Sequence, residues 1–156
     1  MRRAAFFLPL LALACAPVTQ EAAAPALEQA DCYTVDLFPS RDDRRQVIAP
    51  DDSLRADWAA YSGVWGQGAW DGGQCHEIHI TQIFADGSAV VMDTHAPFGT
   101  ERATGFRRVA LLNEDGSLTI SGGQGTRRYM LQDGKVFGTR FNEDGTTSQV
   151  ILSRQE

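Results

Sequence analysis

The densest group of chemistry-bearing side chains is Cys75-His76-Glu77-Ile78-His79, followed in the next apolar run by Asp93 and His95. Imidazoles and carboxylates in one patch suit zinc or a similar ion. The His-Glu-Ile-His order lacks the i, i+4 histidine pair of a zinc-protease helix and lies in strand context. On a strand, residues 77 and 79 share one face and residues 76, 78 and 80 share the other. A three-residue loop at Asp86-Gly87 is read as pairing His79 with His95 and residue 77 with residue 97. That register makes one apolar face from Ile78, Ile80, Phe84, Val90 and Met92, and gathers Glu77, His79, Asp93 and His95 on the opposite face. A two-residue loop instead sets His79 beside Thr94 and mixes polar with apolar residues on both faces. One-sided burial fixes register, so the first arrangement is expected. The polar face then reads as the solvated side of a hairpin, with a metal site of Glu77, His79, Asp93 and His95 as the alternative.

Other chemistry is harder to assemble. There is no Gly-x-Ser-x-Gly elbow to expose a nucleophilic serine. Ser121-Gly122-Gly123-Gln124-Gly125 lacks the Lys-Ser/Thr of a phosphate loop and precedes strand-like sequence, so it reads as a hairpin loop. Arg107-Arg108 and Arg127-Arg128 each place one guanidinium on either face of a strand. The inward members are expected to pair with carboxylates across strands, or else to meet an acidic ligand. Trp58, Tyr61, Trp65 and Trp70 read as core plugs at one end of the fold. No catalytic residue and no cofactor is assigned, and the chain is not expected to be an enzyme.

The elements that position these residues are strands. Asp-Gly recurs at 71–72, 86–87, 115–116, 133–134 and 144–145, a strong hairpin signal. Between these turns lie strand-like runs: one around Gly63 to Trp70, then Cys75–Phe84, Ser88–His95, Gly105–Leu112, Leu118–Ser121, Thr126–Leu131, Lys135–Phe141 and Thr146–Leu152. No gap is long enough for a crossover helix, which excludes parallel βαβ units. About eight antiparallel strands must close or stack to remove their edges, and an all-β up-and-down barrel is expected. A helix is expected over 50–61, capped by Asp51, Asp52 or Ser53, with Leu54, Trp58 and Tyr61 on one face.

Gly63-Val64-Trp65 resembles the Gly-x-Trp signature that opens lipocalins and their calycin relatives. The preceding helical turn, the hairpin meander and a late basic residue, Arg154, fit the same family. The resemblance implies that Arg154 packs over Trp65, with Gly63, Trp65 and Arg154 as structural residues. It extends over about residues 60–154 and is similar to small lipocalin-like domains of bacterial envelope proteins. A barrel this short implies an interior filled largely by side chains.

The N-terminus reads as an address. Met1-Arg2-Arg3 and the apolar run Ala4–Ala14 have the length and charge of a signal peptide, too short to span a bilayer. Leu11-Ala12-Leu13-Ala14-Cys15 resembles a bacterial lipobox, implying removal of residues 1–14 and acyl chains on Cys15. Residues 15–30 then form the lipidated cysteine and a flexible tether rich in Ala, Pro, Gln and Glu. Residues 31–62 form an N-terminal segment with the short helix packed on the barrel, and residues 63–156 form the barrel itself. With Cys15 acylated, Cys32 and Cys75 remain as an even pair in an oxidising compartment. A bridge closing roughly 44 residues stabilises by about 4 kcal/mol on the chain-entropy model.

The 156 residues carry a formal net charge of -6. An acidic surface argues against nucleic acid as a partner. The expected location is the cell envelope, anchored in the outer membrane through N-terminal acyl chains and facing the periplasm, or otherwise secreted. The expected function is a non-catalytic binding module for an envelope protein partner or a small apolar ligand. Alternatives are a periplasmic protease or lysozyme inhibitor, and a metal-binding protein or metal-dependent enzyme using His79, His95 and nearby carboxylates.

Overall fold

The computed structural model describes residues 46–71, 73–96, 104–122 and 125–155. The signal peptide, Cys15, the tether and Cys32 lie outside the described residues. A single helical turn, α1 (Ala56–Ala59), precedes eight strands: β1 (Gly63–Trp70), β2 (Gln74–Ile83), β3 (Ser88–Ala96), β4 (Thr104–Leu112), β5 (Leu118–Ile120), β6 (Thr126–Gln132), β7 (Lys135–Phe141) and β8 (Thr147–Gln155). Every neighbouring pair is antiparallel in chain order, and β1 pairs with β8 to close the barrel. Closure leaves neither β1 nor β8 as a sheet edge to template aggregation.

Three of the hairpins are built by one local device. At Phe84–Ser88, Asn113–Ser117 and Asn142–Thr146 the first residue's N–H donates to the last residue's carbonyl, at 2.9, 2.7 and 2.9 Å. Within each loop the aspartate accepts from the backbone N–H and the hydroxyl of the Ser or Thr two residues on, the hydroxyl at 2.6 Å each time. Such Asx turns pre-form the bend without tertiary help. At Asp133-Gly134 both residues have positive φ, 51° and 73°, as a two-residue turn matched to strand twist requires.

The β2–β3 register differs from the sequence expectation. The loop does have three residues, but it closes on Phe84 and Ser88. That pairing alone would set His79 opposite Asp93. An extra residue in β2, Thr81, shifts the ladder once more, so His79 faces Met92, Glu77 faces Thr94 and His76 faces His95. Ile78 and Ile80 therefore share the interior with Asp93 and Val91, while Val90 and Met92 turn outward and Phe84 is exposed. The expected polar face of Glu77, His79, Asp93 and His95 is split across the barrel wall.

One end of the barrel is plugged. Tyr61 accepts from the Leu131 N–H at 2.8 Å, and its hydroxyl lies 2.9 Å from the Gly116 carbonyl. Trp65 donates its indole N–H to the Tyr61 carbonyl at 2.8 Å. Arg154 lies over the Trp65 ring, 4.3 Å from its centroid, and donates to the carbonyls of Ser62 and Ala60. Below this plug the interior is apolar, filled by Ile78, Ile80, Val91, Leu112, Leu118, Val136, Val150 and Leu152.

Two further expectations are corrected. The helix spans one turn rather than 50–61, and Arg55, not an aspartate or serine, occupies its cap position. Asp51 instead binds the backbone N–H and hydroxyl of Ser53 in a tight local turn, which competes with helix there. Trp70 does not join the plug. A bulge between Trp65 and Gly68, with Gln67 at φ 61°, re-aims β1 so that Trp65 and Trp70 serve opposite ends of the barrel.

Candidate functional site

The end opposite the plug is polar inside. Alternation along each strand sends His76 inward from β2, Asp93 and His95 from β3, Arg108 from β4, Arg127 and Tyr129 from β6, and Arg140 from β7. His76, Asp93, Arg127 and Tyr129 are wholly buried, and Arg108 is partly buried. Of the two arginine pairs, Arg108 and Arg127 are the inward members. Asp93 is their common partner: its Oδ2 lies 2.8 Å from Arg108 Nε and 2.7 Å from Arg127. His95 Nε2 stands 3.1 Å from the other oxygen, Oδ1, which lacks an aligned donor among the described residues.

His76 is fixed by two bonds. Its Nδ1 lies 3.1 Å from the Thr94 carbonyl, which only accepts, so Nδ1 carries the proton. Nε2 then accepts from the Tyr129 hydroxyl at 2.8 Å. Burial drives the His76 pKa down to about 3, outweighing the opposite pull of Asp93, so the ring is neutral at physiological pH. Burial raises the Tyr129 hydroxyl well above its ordinary range, and the Asp93 charge adds to that. Burial favours the neutral form of Asp93, but contact with His95 and the charge of Arg127 outweigh it and hold the carboxyl well below its usual range.

The rings stack around the barrel wall. His76 lies 4.9 Å from Trp70 and 4.9 Å from His95, the latter near-parallel at 18°. Arg140 lies over Trp70 at 4.9 Å, and reaches Gln74 and Ser148 at 3.4 Å each. Space for Tyr129 depends on Gly138, its partner on β7: a β-carbon there would sit 2.8 Å from the tyrosine ring.

Not every buried group is satisfied. The Trp70 indole N–H, the Arg127 Nε–H and His95 Nδ1 have no hydrogen-bond partner among the described residues. Buried unpartnered donors are uncommon and costly, on the order of 1–3 kcal/mol each.

Of the four metal candidates, Asp93 and His95 are inside, whereas Glu77 and His79 lie on the outer face, buried and in contact with each other. His76, which the sequence reading had placed with the isoleucines, takes their place. The ligand atoms of His76, Asp93 and His95 lie within 4.8 Å of one another. Even so, both His76 nitrogens are occupied, and Arg127 NH1 sits 2.7 Å from Asp93 and 3.3 Å from His95. Its guanidinium stands where a bound cation would.

No protein-family model matches the chain, and no curated protein or solved structure matches it.

Proposed function

We propose that the chain is an exported, lipid-anchored β-barrel that binds a partner or small molecule at its polar end and does not catalyse a reaction. One observation carries the reading: among the described residues, the Trp70 indole N–H and the Arg127 Nε–H, two buried donors without partners, lie at one end of a barrel whose other end is tied by hydrogen bonds through its plug. A binding partner would supply the missing acceptors. The closed eight-stranded barrel and the Arg154–Trp65 stack support the likeness to small lipocalin-like envelope domains. The Tyr129 hydroxyl, donated to His76 and with a raised pKa, is a poor nucleophile, and Arg127 supplies the cation that a metal reading would need. Both points favour binding over catalysis.

Anchoring through Cys15, an outer-membrane location facing the periplasm and a Cys32–Cys75 bridge belong to the same proposal. Native mass spectrometry of protein isolated from its own envelope tests it. The expected spectrum carries the acyl mass, two hydrogens fewer than the reduced chain, and a retained non-covalent species. Acylation that survives Cys15→Ala contradicts the anchor. A spectrum without any retained species contradicts the binding role.

A further inference from the structure

Resting on that binding role, the barrel wall itself shows where the backbone of a partner fits. Closure removes the two ends of the sheet, but the wall between β4 and β6 is incomplete. β5 has three residues and pairs only with Ala110, Leu111 and Leu112 of β4. Residues Thr104 to Val109 therefore pair with β3 on one side and with no described residue on the other. Strand alternation identifies the backbone groups left over. Leu112 donates its N–H to the Gly87 carbonyl at 2.8 Å, so the even-numbered residues of β4 bond toward β3. Gly105, Arg107 and Val109 aim their N–H and C=O groups the other way. The chain turns aside here because Gly122 and Gly125 take φ values of 94° and 99°, and Arg127 holds the Gly122 carbonyl at 3.0 Å. A β-carbon on Gly122 would meet nothing within 4 Å, so the space around it is open.

The side chains suit the same use. Arg107 and Val109 lie on the outer face, and both are exposed, Val109 at 70%. Native sheets blunt an open edge with proline, a bulge or a very short strand. β4 contains no proline, and its ladder to β3 runs unbroken from Leu111 to Thr104. The charge indicates the partner. β4 has no acidic residue, and its Arg108 is engaged by Asp93. Arg107 neighbours Met92 on β3 and has no ion-pair partner among the described residues. Two copies of the chain pairing over residues 105–109 about a two-fold axis would set Arg107 against its own counterpart, and like charges directly opposed destabilise. We infer that the unpaired stretch of β4 receives an extended acidic segment of a protein partner as an added strand, with a carboxylate opposite Arg107 and a β-branched side chain opposite Val109. Main-chain hydrogen bonds hold a strand added in this way, and its alternate side chains select it.

Proton–nitrogen spectra of the full chain, titrated with the end-capped peptide TVEVT, test this. Saturable shifts are expected at the amides of Gly105, Arg107 and Val109, with a Kd of about 1 mM or tighter. The peptide TVKVT, with lysine in place of glutamate, should bind about fivefold more weakly, the span between an attractive and a repulsive cross-strand pair. Arg107→Glu changes an exposed outer side chain and should invert that preference. Val109→Pro removes an N–H that faces the gap rather than β3 and should abolish binding of both peptides. Arg107→Glu carries the test alone if the proline variant does not fold. Unmoved amides, equal binding of the two peptides, or a preference that Arg107→Glu leaves unchanged overturns the inference. Concentration-dependent shifts of the same amides without peptide assign the edge to a second copy and overturn the acidic partner. Silent peptides with a species retained in the native mass spectrum overturn the added strand alone. Silence in both experiments overturns the binding role as well.

Discussion

The two ends of the barrel are built alike and finished differently. Each has a tryptophan from β1 with an arginine lying over it: Arg154 on Trp65 at 4.3 Å, and Arg140 on Trp70 at 4.9 Å. At the plugged end the Trp65 indole N–H reaches the Tyr61 carbonyl, and Arg154 donates to the carbonyls of Ser62 and Ala60. At the polar end the Trp70 indole N–H has no acceptor among the described residues. Two tryptophans on one strand thus separate a structural use from a receptive one. The difference teaches that hydrogen-bond completeness, rather than residue type, marks which end holds the fold together.

Substitutions that act unequally on the two ends test this contrast. The largest effect is expected from Trp65→Ala, which empties the plug and should destabilise by about 3–5 kcal/mol in urea unfolding. Next comes Asp93→Asn, which leaves Arg108 and Arg127 without their charge partner; a loss of about 3 kcal/mol is expected. Gly138→Ala should cost about 1–3 kcal/mol by driving a methyl into the Tyr129 ring, and should disturb the Tyr129–His76 bond seen by NMR.

The conservative pair is the sharper comparison. Trp65→Phe strips the donor from the Tyr61 carbonyl and should cost about 1–3 kcal/mol, while Trp70→Phe deletes an unpartnered donor and should be nearly neutral. Equal costs would erase the distinction between the ends.

The most gradual effect is a pH slope, spread over several units. The His76 pKa lies below its unfolded value near 6.5, so between about 6.5 and 3 the unfolded chain binds the extra proton. The His76 contribution to stability is therefore complete above pH 6.5 and is lost as pH falls toward 3, by at most about 1.4 kcal/mol per unit. His76→Gln can keep both hydrogen bonds and should flatten that slope in unfolding curves taken between those limits.

Much of the fold was legible because its signals are local. Asp-Gly followed by Ser, Lys or Thr sits at four of the hairpins; three of these turns are bonded by their own aspartate and the fourth is set by positive φ at Asp133 and Gly134, so the strand boundaries follow closely. The site was less legible because it depends on registers summed over several strands. Thr81 as an extra residue in β2 has no local mark, yet it decides which residues face Asp93. His76 carried a usable signal: it lies two and four residues before Ile78 and Ile80, so a buried face containing both isoleucines also contains the histidine. The arginine doublets were legible only as pairs, since choosing Arg108 and Arg127 as inward members required the barrel's closure.

The most direct test of the account is a series of two-dimensional proton–nitrogen spectra of the full chain during exchange into deuterated water, following the indole signals of Trp58, Trp65 and Trp70. The account predicts that the Trp65 indole N–H, bonded to the Tyr61 carbonyl, exchanges more slowly than the Trp70 indole N–H, which has no acceptor among the described residues. Slower exchange at Trp70 than at Trp65 would put the receptive end where the plug is and contradict it.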